Sequence, residues 1–495
     1  GSTACMQLED CSGTDITCDI TGWLLYLQSA NAATTPALCA AGTADAAFFT
    51  YLGANGNETL ADICATRDGG TIVAGRTTAD IASLNGITPT VAYNAGNDAL
   101  IIKLNSVNAV EWYSFAGGAG NEDFFAVTET SDGGFVAVGE SSAAVATIDG
   151  KAPLLAFQSD PDMLVVRYTA TGSEDWWTYV GSSGASNDEA LGVVELAGGG
   201  YVVGGHAGDL AGMPVANLST FSGSNFDMTF IKFSTTGTIE WYRSFGSTVN
   251  EQSRELIAAA DGGFVSGGLG LGNMTNVGGV TPIIGRHGGQ DTVVSKFSAT
   301  GALEWFTFLG ANPGNHTANS ITEMADGSLI VGMDANAAVA TLDGKTPLNI
   351  YNTNDIYLAK LTASGALEWH TFLHSTASEN VAHVVALTDG NFLVGGTAGA
   401  DIATLNGFTP LNAYSANSDM LLVKMQPDGT QIWYSFVGAA GDDEAQGLAA
   451  TQDGGFILTG LSNSNITNLG SLSPLLGVTN ANDGFVLRGG VDGPF

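Results

Sequence analysis

An aspartate recurs every 64 or 65 residues along this chain, at Asp98, Asp162, Asp227, Asp291, Asp355, Asp419 and Asp483. Each opens an apolar run, and five residues later stands a cation: Lys103, Arg167, Lys232, Lys296, Lys360, Lys424 or Arg488. Seven carboxylates gathered near a channel mouth would offer the hard oxygen ligands that suit Ca²⁺. The structural reading of the same aspartates is a turn cap that accepts backbone N–H groups. Faithful repetition favours the cap, because a ligand site tends to break symmetry. Positions i and i+5 lie on opposite faces of a strand, so each Asp and its own cation are not expected to pair. The cations are expected instead to tie neighbouring repeats together. Their partners would be neighbouring aspartates or the acidic position after the tryptophan segment: Glu58, Glu122, Asp188, Glu251, Glu379 and Asp443, with His316 in one copy. The sharper alternative is a channel lined by seven cations that captures an anion.

Two further sets of residues could carry chemistry. His370 and His374 share a strand face and His383 follows, a trio able to hold Zn²⁺ or Cu²⁺ if brought together; the bland reading is packing. All five cysteines, Cys5, Cys11, Cys18, Cys39 and Cys64, fall in the first 64 residues. No CxxC pair occurs among them and no His lies nearby, so disulfides among Cys11, Cys18, Cys39 and Cys64 are expected rather than zinc, which implies an oxidising compartment. Their connectivity stays open; one bridge is expected to staple the N-terminal segment to the repeats through Cys64. Cys5, in Ser2-Thr3-Ala4-Cys5, faintly resembles the end of a lipoprotein signal and is the candidate lipid anchor. No nucleophile elbow, P-loop, dinucleotide fingerprint or HExxH motif occurs.

The elements that position these residues follow from the period. Trp112, Trp176, Trp241, Trp305, Trp369 and Trp433 keep the same step, and Phe48 completes a seventh copy. Each copy holds four β-prone segments. In the second these are Trp112–Ala116, Phe124–Thr130, then Phe135–Glu140 after the Asp132-Gly133-Gly134 turn, then Met163–Tyr168 after a long connection through Pro153. Helical periodicity is absent. Seven repeats of four short antiparallel strands predict an all-β, seven-bladed β-propeller, since radial closure protects the sheet edges. Residues 1–47 form a cysteine-containing N-terminal segment and 48–495 the propeller. The long connection is expected to cross from an outer strand to the next inner one, which would make the Asp-led strand innermost. The strand Asp483–Arg488, left over at the C-terminus, is expected to complete the first blade and close the ring with both chain ends.

The pattern Asp-x-x-x-x-Lys, a Gly turn, Trp-x-x-(Phe/Tyr)-x-Gly, then Asp-Gly-Gly-Phe, as in Asp355–Lys360, Trp369–Leu373 and Asp453-Gly454-Gly455-Phe456, resembles the bacterial seven-bladed beta-propeller repeat. The resemblance covers about Phe48 to Gly490. It implies a secreted or surface-displayed bacterial protein and transfers no catalytic residue.

Composition narrows the partners. Against 49 Asp and Glu the 495 residues include 14 Lys and Arg, a net charge of −35 that removes the electrostatic basis for binding nucleic acid. A hydrophobic fraction of 44% supplies ample core, and no apolar run is long enough to form a transmembrane helix. The expected function is non-enzymatic: a secreted or cell-surface scaffold, adhesin or subunit of an extracellular assembly, oligomeric or polymeric, meeting a protein or glycan through long loops such as Ile81–Asn97 and Asp401–Ser418. The alternative is an enzyme or lectin-like carbohydrate-binding protein, Ca²⁺-dependent in one version, with its site in the channel. The two differ in symmetry. Channel ligation calls for one asymmetric polar cluster, whereas scaffolding leaves the seven channel positions nearly equivalent.

Overall fold

A computed structural model describes residues 47–493, apart from 54–55, 159–160, 185–186, 220, 222–225, 376, 464, 468, 470–471, 479–481 and 491–492. Its strands form seven four-stranded antiparallel sheets, a seven-bladed β-propeller. In blade one the order is Glu58–Ala65, Thr71–Thr77, Asp98–Leu104 and Val110–Ala116. Blades two to six repeat it, and their inner strands begin at Glu122, Glu189, Glu251, His316 and Glu379.

The radial order differs from the expectation. The strands that line the central channel are those of the Glu58–Ala65 type, and they contact their counterparts in neighbouring blades. The Asp-led strand is third from the axis and the tryptophan strand is outermost. The crossing to the next blade is made by a short link, residues 117–121 in the first case. Five extended residues reach about 17 Å, and three strand spacings come to about 14 Å, so a short link suffices.

The long connection serves another purpose. It runs along the exposed edge of its own blade, where Thr90 N–H donates to Tyr113 O (2.8 Å) and Leu154 N–H to Trp177 O (2.9 Å). It thereby caps the outer strand with backbone hydrogen bonds that an open edge would lack.

Both chain ends close the ring, as expected, but it is the N-terminal strand that completes the last blade rather than the C-terminal strand the first. Asp483–Gly489 pairs with Phe48–Leu52, in register from Leu52↔Gly484 to Phe48↔Arg488. Asp443–Ala450 and Phe456–Ser462 complete that sheet, so blade seven is built from three C-terminal strands and one N-terminal strand.

The core lies between blades. Ile72, Ala74 and Ile101 of blade one pack with Phe124, Val127 and Leu164 of blade two, and the other junctions repeat the arrangement. The third strands are buried at all seven positions because neighbouring blades cover both faces. That accounts for their continuous apolar runs.

Three of the repeated tryptophans hydrogen-bond across to the next blade, whereas Trp433 Nε1 is buried without an acceptor among the described residues. Trp112, Trp176 and Trp369 donate Nε1–H to Ala170 O (3.1 Å), Thr235 O (3.0 Å) and Pro427 O (3.0 Å). The ring lies on a turn glycine: a Cβ on Gly172, whose φ is +80°, would fall 2.4 Å from Trp112. Both the left-handed backbone and the close approach require glycine there.

Candidate functional site

Every inner strand carries a β-bulge near its middle, between Leu60 and Asp62 in blade one and between Ser253 and Glu255 in blade four. Bulges redirect side chains and disturb the pairing ladder. Neighbouring blades serve several of the backbone donors along these strands. Asp62 Oδ2 accepts from Val127 N–H (2.8 Å), Asp334 Oδ1 from Val381 N–H (2.8 Å) and Thr397 Oγ1 from Ala445 N–H (3.2 Å). Asp62 and Asp334 are therefore inter-blade ties as well as channel-lining groups.

The bulges turn side chains into a channel cavity of about 820 Å³. The repeat position that follows the bulge reads Asp62, Ala126, Gly192, Glu255, Ser320, His383 and Gly447 around the ring, and of these Asp62, Ala126, Glu255 and His383 line the cavity. Positions that build the blades keep their identity; this one does not. Glu255 Oε2 lies 3.7 Å from His383 Nδ1 across the channel, each side chain about one-fifth exposed (20% and 19%). Burial, then the nearby Asp62 carboxylate, holds the Glu255 carboxyl well above its usual range. Burial pushes the His383 imidazole down to about 4 and the Asp62 carboxyl up to about 6. The Glu255–His383 contact therefore joins two groups that both resist charge. Beside them Arg254 approaches Asn319 (Nη1 to Oδ1, 3.4 Å), and Asn319 donates to Asp334 Oδ2 at 2.7 Å. Phe125 and Leu191 give the cavity an apolar wall, while Gln252, Asn380 and Gln446 add amides.

The seven aspartates stand elsewhere, on third strands two removed from the channel, and each is fully buried. No carboxylate ring forms at the channel mouth, because the Asp-led strand is not innermost. Each observed carboxylate anchors the long connection that precedes it: Asp98 accepts from Asn94 N–H (2.6 Å), Asp162 from Gln158 (2.5 Å), Asp291 from His287 (2.6 Å) and Asp419 from Ser415 (2.5 Å). Among the described residues no three His, Cys, Asp or Glu side chains are grouped to hold a metal ion.

Contrary to expectation, the cations bind mainly within their own blades, although Arg167 Nε–H also donates to Tyr201 Oη in blade three at 3.1 Å. Lys103, Arg167, Lys296, Lys424 and Arg488 pair with Asp68 (2.9 Å), Asp132 (2.6 Å), Asp261 (2.5 Å), Asp389 (2.6 Å) and Asp453 (2.9 Å) in their own blades. Lys360 sits 2.9 Å from Glu368 and 3.9 Å from Asp326. Lys232, whose turn has Gly198 in place of the aspartate, donates to Gly199 O at 2.6 Å and lies 3.7 Å from Glu240. Register explains this: Lys103 is opposite Ile72, at the foot of the second strand, beside the Asp68 turn. Burial alone would raise the Asp453 carboxyl, but Thr451, Arg488 and the Gly455 N–H outweigh it and hold it below its usual value. Asp453→Ala strands the buried Arg488 guanidinium and is expected to cost about 2 kcal/mol in a denaturant melt; Arg488→Met, which removes the charge and keeps the bulk, should cost less. Equal losses would show that the pair's charge is immaterial.

The histidines are not brought together. His370 is buried on the outer strand of blade five, between Tyr357 Oη (3.1 Å from Nδ1) and Lys345 O (3.0 Å from Nε2). His383 lines the channel in blade six. His374 replaces the glycine that follows the outer strand elsewhere. A Cβ on Gly117 would fall 2.3 Å from Asp98 Oδ1, whereas Asp355 Oδ1 is turned to accept from Thr353 N–H (3.1 Å). Cys64 lies buried in the inner strand of blade one; Cys5, Cys11, Cys18 and Cys39 lie outside the described residues. Sequence reasoning found His383 but missed Glu255 and Arg254. The available signal was their departure from the repeat at two adjacent positions, masked by the bulge.

No family model matches the chain, and no curated protein matches it significantly. Solved structures do. A protein of unknown function from Dyadobacter fermentans DSM 18053 is similar at 9% identity and TM-score 0.45, over 89% of this chain and 97% of that one. BamB from Moraxella catarrhalis is similar at 10% and 0.39, over 89% and 99%. A PL25 ulvan lyase bound to a glucuronate–rhamnose sulfate unit is similar at 10% and 0.43, over 83% and 92%. These values carry no argument about what this chain does. Among the described residues no helix is long and apolar enough to cross a membrane.

Proposed function

We propose that this is a secreted or surface-displayed bacterial propeller of the repeat family its sequence resembles, and that it binds a neutral glycan at its channel mouth. The observation that carries the reading is the broken symmetry around Glu255 and His383 inside an otherwise regular ring. A cavity with an apolar wall and convergent amide and carboxyl groups is the usual make-up of a small-ligand site. Hydroxyl-rich sugars suit it: Gln252, Asn319, Asn380 and Gln446 both donate and accept, and Phe125 supplies an apolar face. A mechanism of bond cleavage is not part of the proposal.

The test is a glycan screen on the full chain, followed by titration of Glu255→Gln and His383→Ala. Losing one buried hydrogen-bonding partner is expected to weaken affinity about tenfold, with the melting temperature little changed. Chelating Ca²⁺ in the same titration tests the calcium-dependent version. Wild-type protein that binds no glycan, or variants that bind as tightly as wild type, would overturn the reading.

Scaffolding is the second reading, favoured by a different observation. Leu154, Ile283, Leu348, Leu411 and Leu475 each follow a loop proline, Leu218 lies four residues after Pro214, and all six are exposed around the outer rim. A rim of this kind suits contact with further copies or another protein. In either reading the N-terminal segment serves as tether, through a disulfide at Cys64 and lipid on Cys5, which thiol counting and intact mass on the exported protein would establish.

A further inference from the structure

The channel cavity is not confined to the axis. Around most of the ring its lining residues stand on inner strands, and the bulged residue, Phe125, Arg254 or Gln446 for example, is among them. Blade five adds Asp334 from its second strand. Blade six goes further. There the lining passes from Thr397, on the second strand, through Gly399 to Ser418, which directly precedes the third strand. Ser378, on the link into the same blade, lines it too. The cavity of about 820 Å³ therefore has an arm that leaves the axis over blade six, where the long connection 399–418 departs and returns.

Comparison of the repeats shows what opens this arm. Just past the second strand, one backbone N–H donates to a carbonyl on the link: Thr78 to Asn57 O (3.2 Å), Ser142 to Asn121 O (2.9 Å), Asn336 to Asn315 O (3.2 Å), Asn463 to Asp442 O (3.0 Å) and Gly399 to Ser378 O (2.9 Å). In the first four of these the side chain returns the bond. Thr78 Oγ1 accepts from Asn57 N–H (2.8 Å), Ser142 Oγ from Asn121 N–H (2.8 Å), Asn336 Oδ1 from Asn315 N–H (2.8 Å) and Asn463 Oδ1 from Asp442 N–H (2.7 Å). Gly399 has no side chain to return. A Cβ built on it would lie 3.8 Å from Ser378 N and 3.1 Å from Ser378 O, so the room that those blades fill belongs to the cavity in blade six. Leu271 occupies the position in blade four, and in blade three Gly208 N–H turns to Asp188 Oδ1 at 2.7 Å. The backbone of Gly399 lies outside the left-handed region that demands glycine, so conformation does not account for the residue.

We propose that the glycan bound at the channel is an oligosaccharide rather than a single sugar, that its chain leaves the axis along this arm over blade six, and that Gly399 is the residue that admits it. The inference rests on the glycan-binding reading above and extends it from the class of ligand to its length and direction. The chemistry of the arm suits a neutral saccharide. Ser378, Asn380, Thr397 and Ser418 are uncharged and both donate and accept, as sugar hydroxyls require. Thr397 is fixed at the seam with blade seven, where its Oγ1 accepts from Ala445 N–H at 3.2 Å. A single ring at the axis leaves the arm to water, whereas a longer chain exchanges that water for hydrogen bonds in a recess lined by polar groups.

Calorimetric titration of the full chain with neutral gluco-, manno- and galacto-oligosaccharides, from monosaccharide to hexasaccharide, tests this. In the series that binds, affinity is expected to rise about tenfold from monosaccharide to trisaccharide, the gain from roughly one or two hydrogen bonds of ordinary strength. Gly399→Asn supplies the side chain that Asn336 and Asn463 supply in their own blades. It should abolish that rise and leave the monosaccharide affinity and the melting temperature close to wild type. If the asparagine variant does not fold, Gly399→Ser, with the side chain of blade two, makes the same comparison. A trisaccharide that binds no tighter than the monosaccharide, or a Gly399 variant with the length dependence of wild type, overturns the arm and leaves the channel site standing. A wild-type chain that binds no member of any series overturns both.

Discussion

A chain ending before Asp483 is expected to lose cooperative folding altogether. Among the described residues the third strand of blade seven is the sole strand partner of Phe48–Leu52, so its removal also releases the N-terminal strand. Phe485, Val486 and Leu487 are fully buried and belong to two core clusters, which also contain residues of blades six and one. Fully burying one such side chain is worth about 1.5–3 kcal/mol. Losing these three together with Phe49, Tyr51 and Leu52 comes to roughly 10 kcal/mol, comparable to the whole stability of a typical domain. The ring is then left open between blades six and one. Calorimetry or circular dichroism on the purified truncation checks this, and a soluble product with a single sharp transition would refute the closure.

Trp176→Ala should be among the costliest single substitutions, at about 3–5 kcal/mol. The ring is 7% exposed and stacks on Phe233 at 5.9 Å, and its Nε1–H crosses to Thr235 O in the next blade. Removing it opens a cavity beside Gly237, where Leu154 also rests. Trp176→Phe separates the terms: it keeps most of the packing and forfeits the hydrogen bond, at about 1 kcal/mol. Urea denaturation of the pair checks both values. An alanine variant within 1 kcal/mol of wild type would mean that the tryptophan does not latch blade to blade.

Periodicity made the blade number, the strand content and the use of both chain ends legible, because every copy repeats the same hydrophobic and turn pattern. Radial order was not legible from connection length alone. A short link can span a blade, while the long one is occupied in capping the outer edge. The partners of the cations depended on register. Lys103 meets Asp68 because Ile72 stands opposite it, and that pairing lies 35 residues away in sequence. The channel cluster was hidden for a different reason. Glu255 sits at a bulge, where strict alternation of faces fails, so the strand pattern did not mark it as pointing inward. The turn-capping reading of the aspartates was available from residue type, since Asp accepts local backbone N–H groups readily, and it matches what Asp98 and Asp419 do.

The covered outer edge also restricts how anything can hold this molecule. A peptide that docks by extending a sheet needs a free row of backbone donors and acceptors. Here the outer strand's middle carbonyl is already taken in blade after blade, by Thr90 on Tyr113, Leu154 on Trp177, Ile283 on Phe306 and Leu411 on Tyr434. Recognition by strand addition is therefore closed at the circumference. A partner has to read side chains, on the rim or at the channel mouth, and its specificity is written in the few positions where the seven repeats disagree.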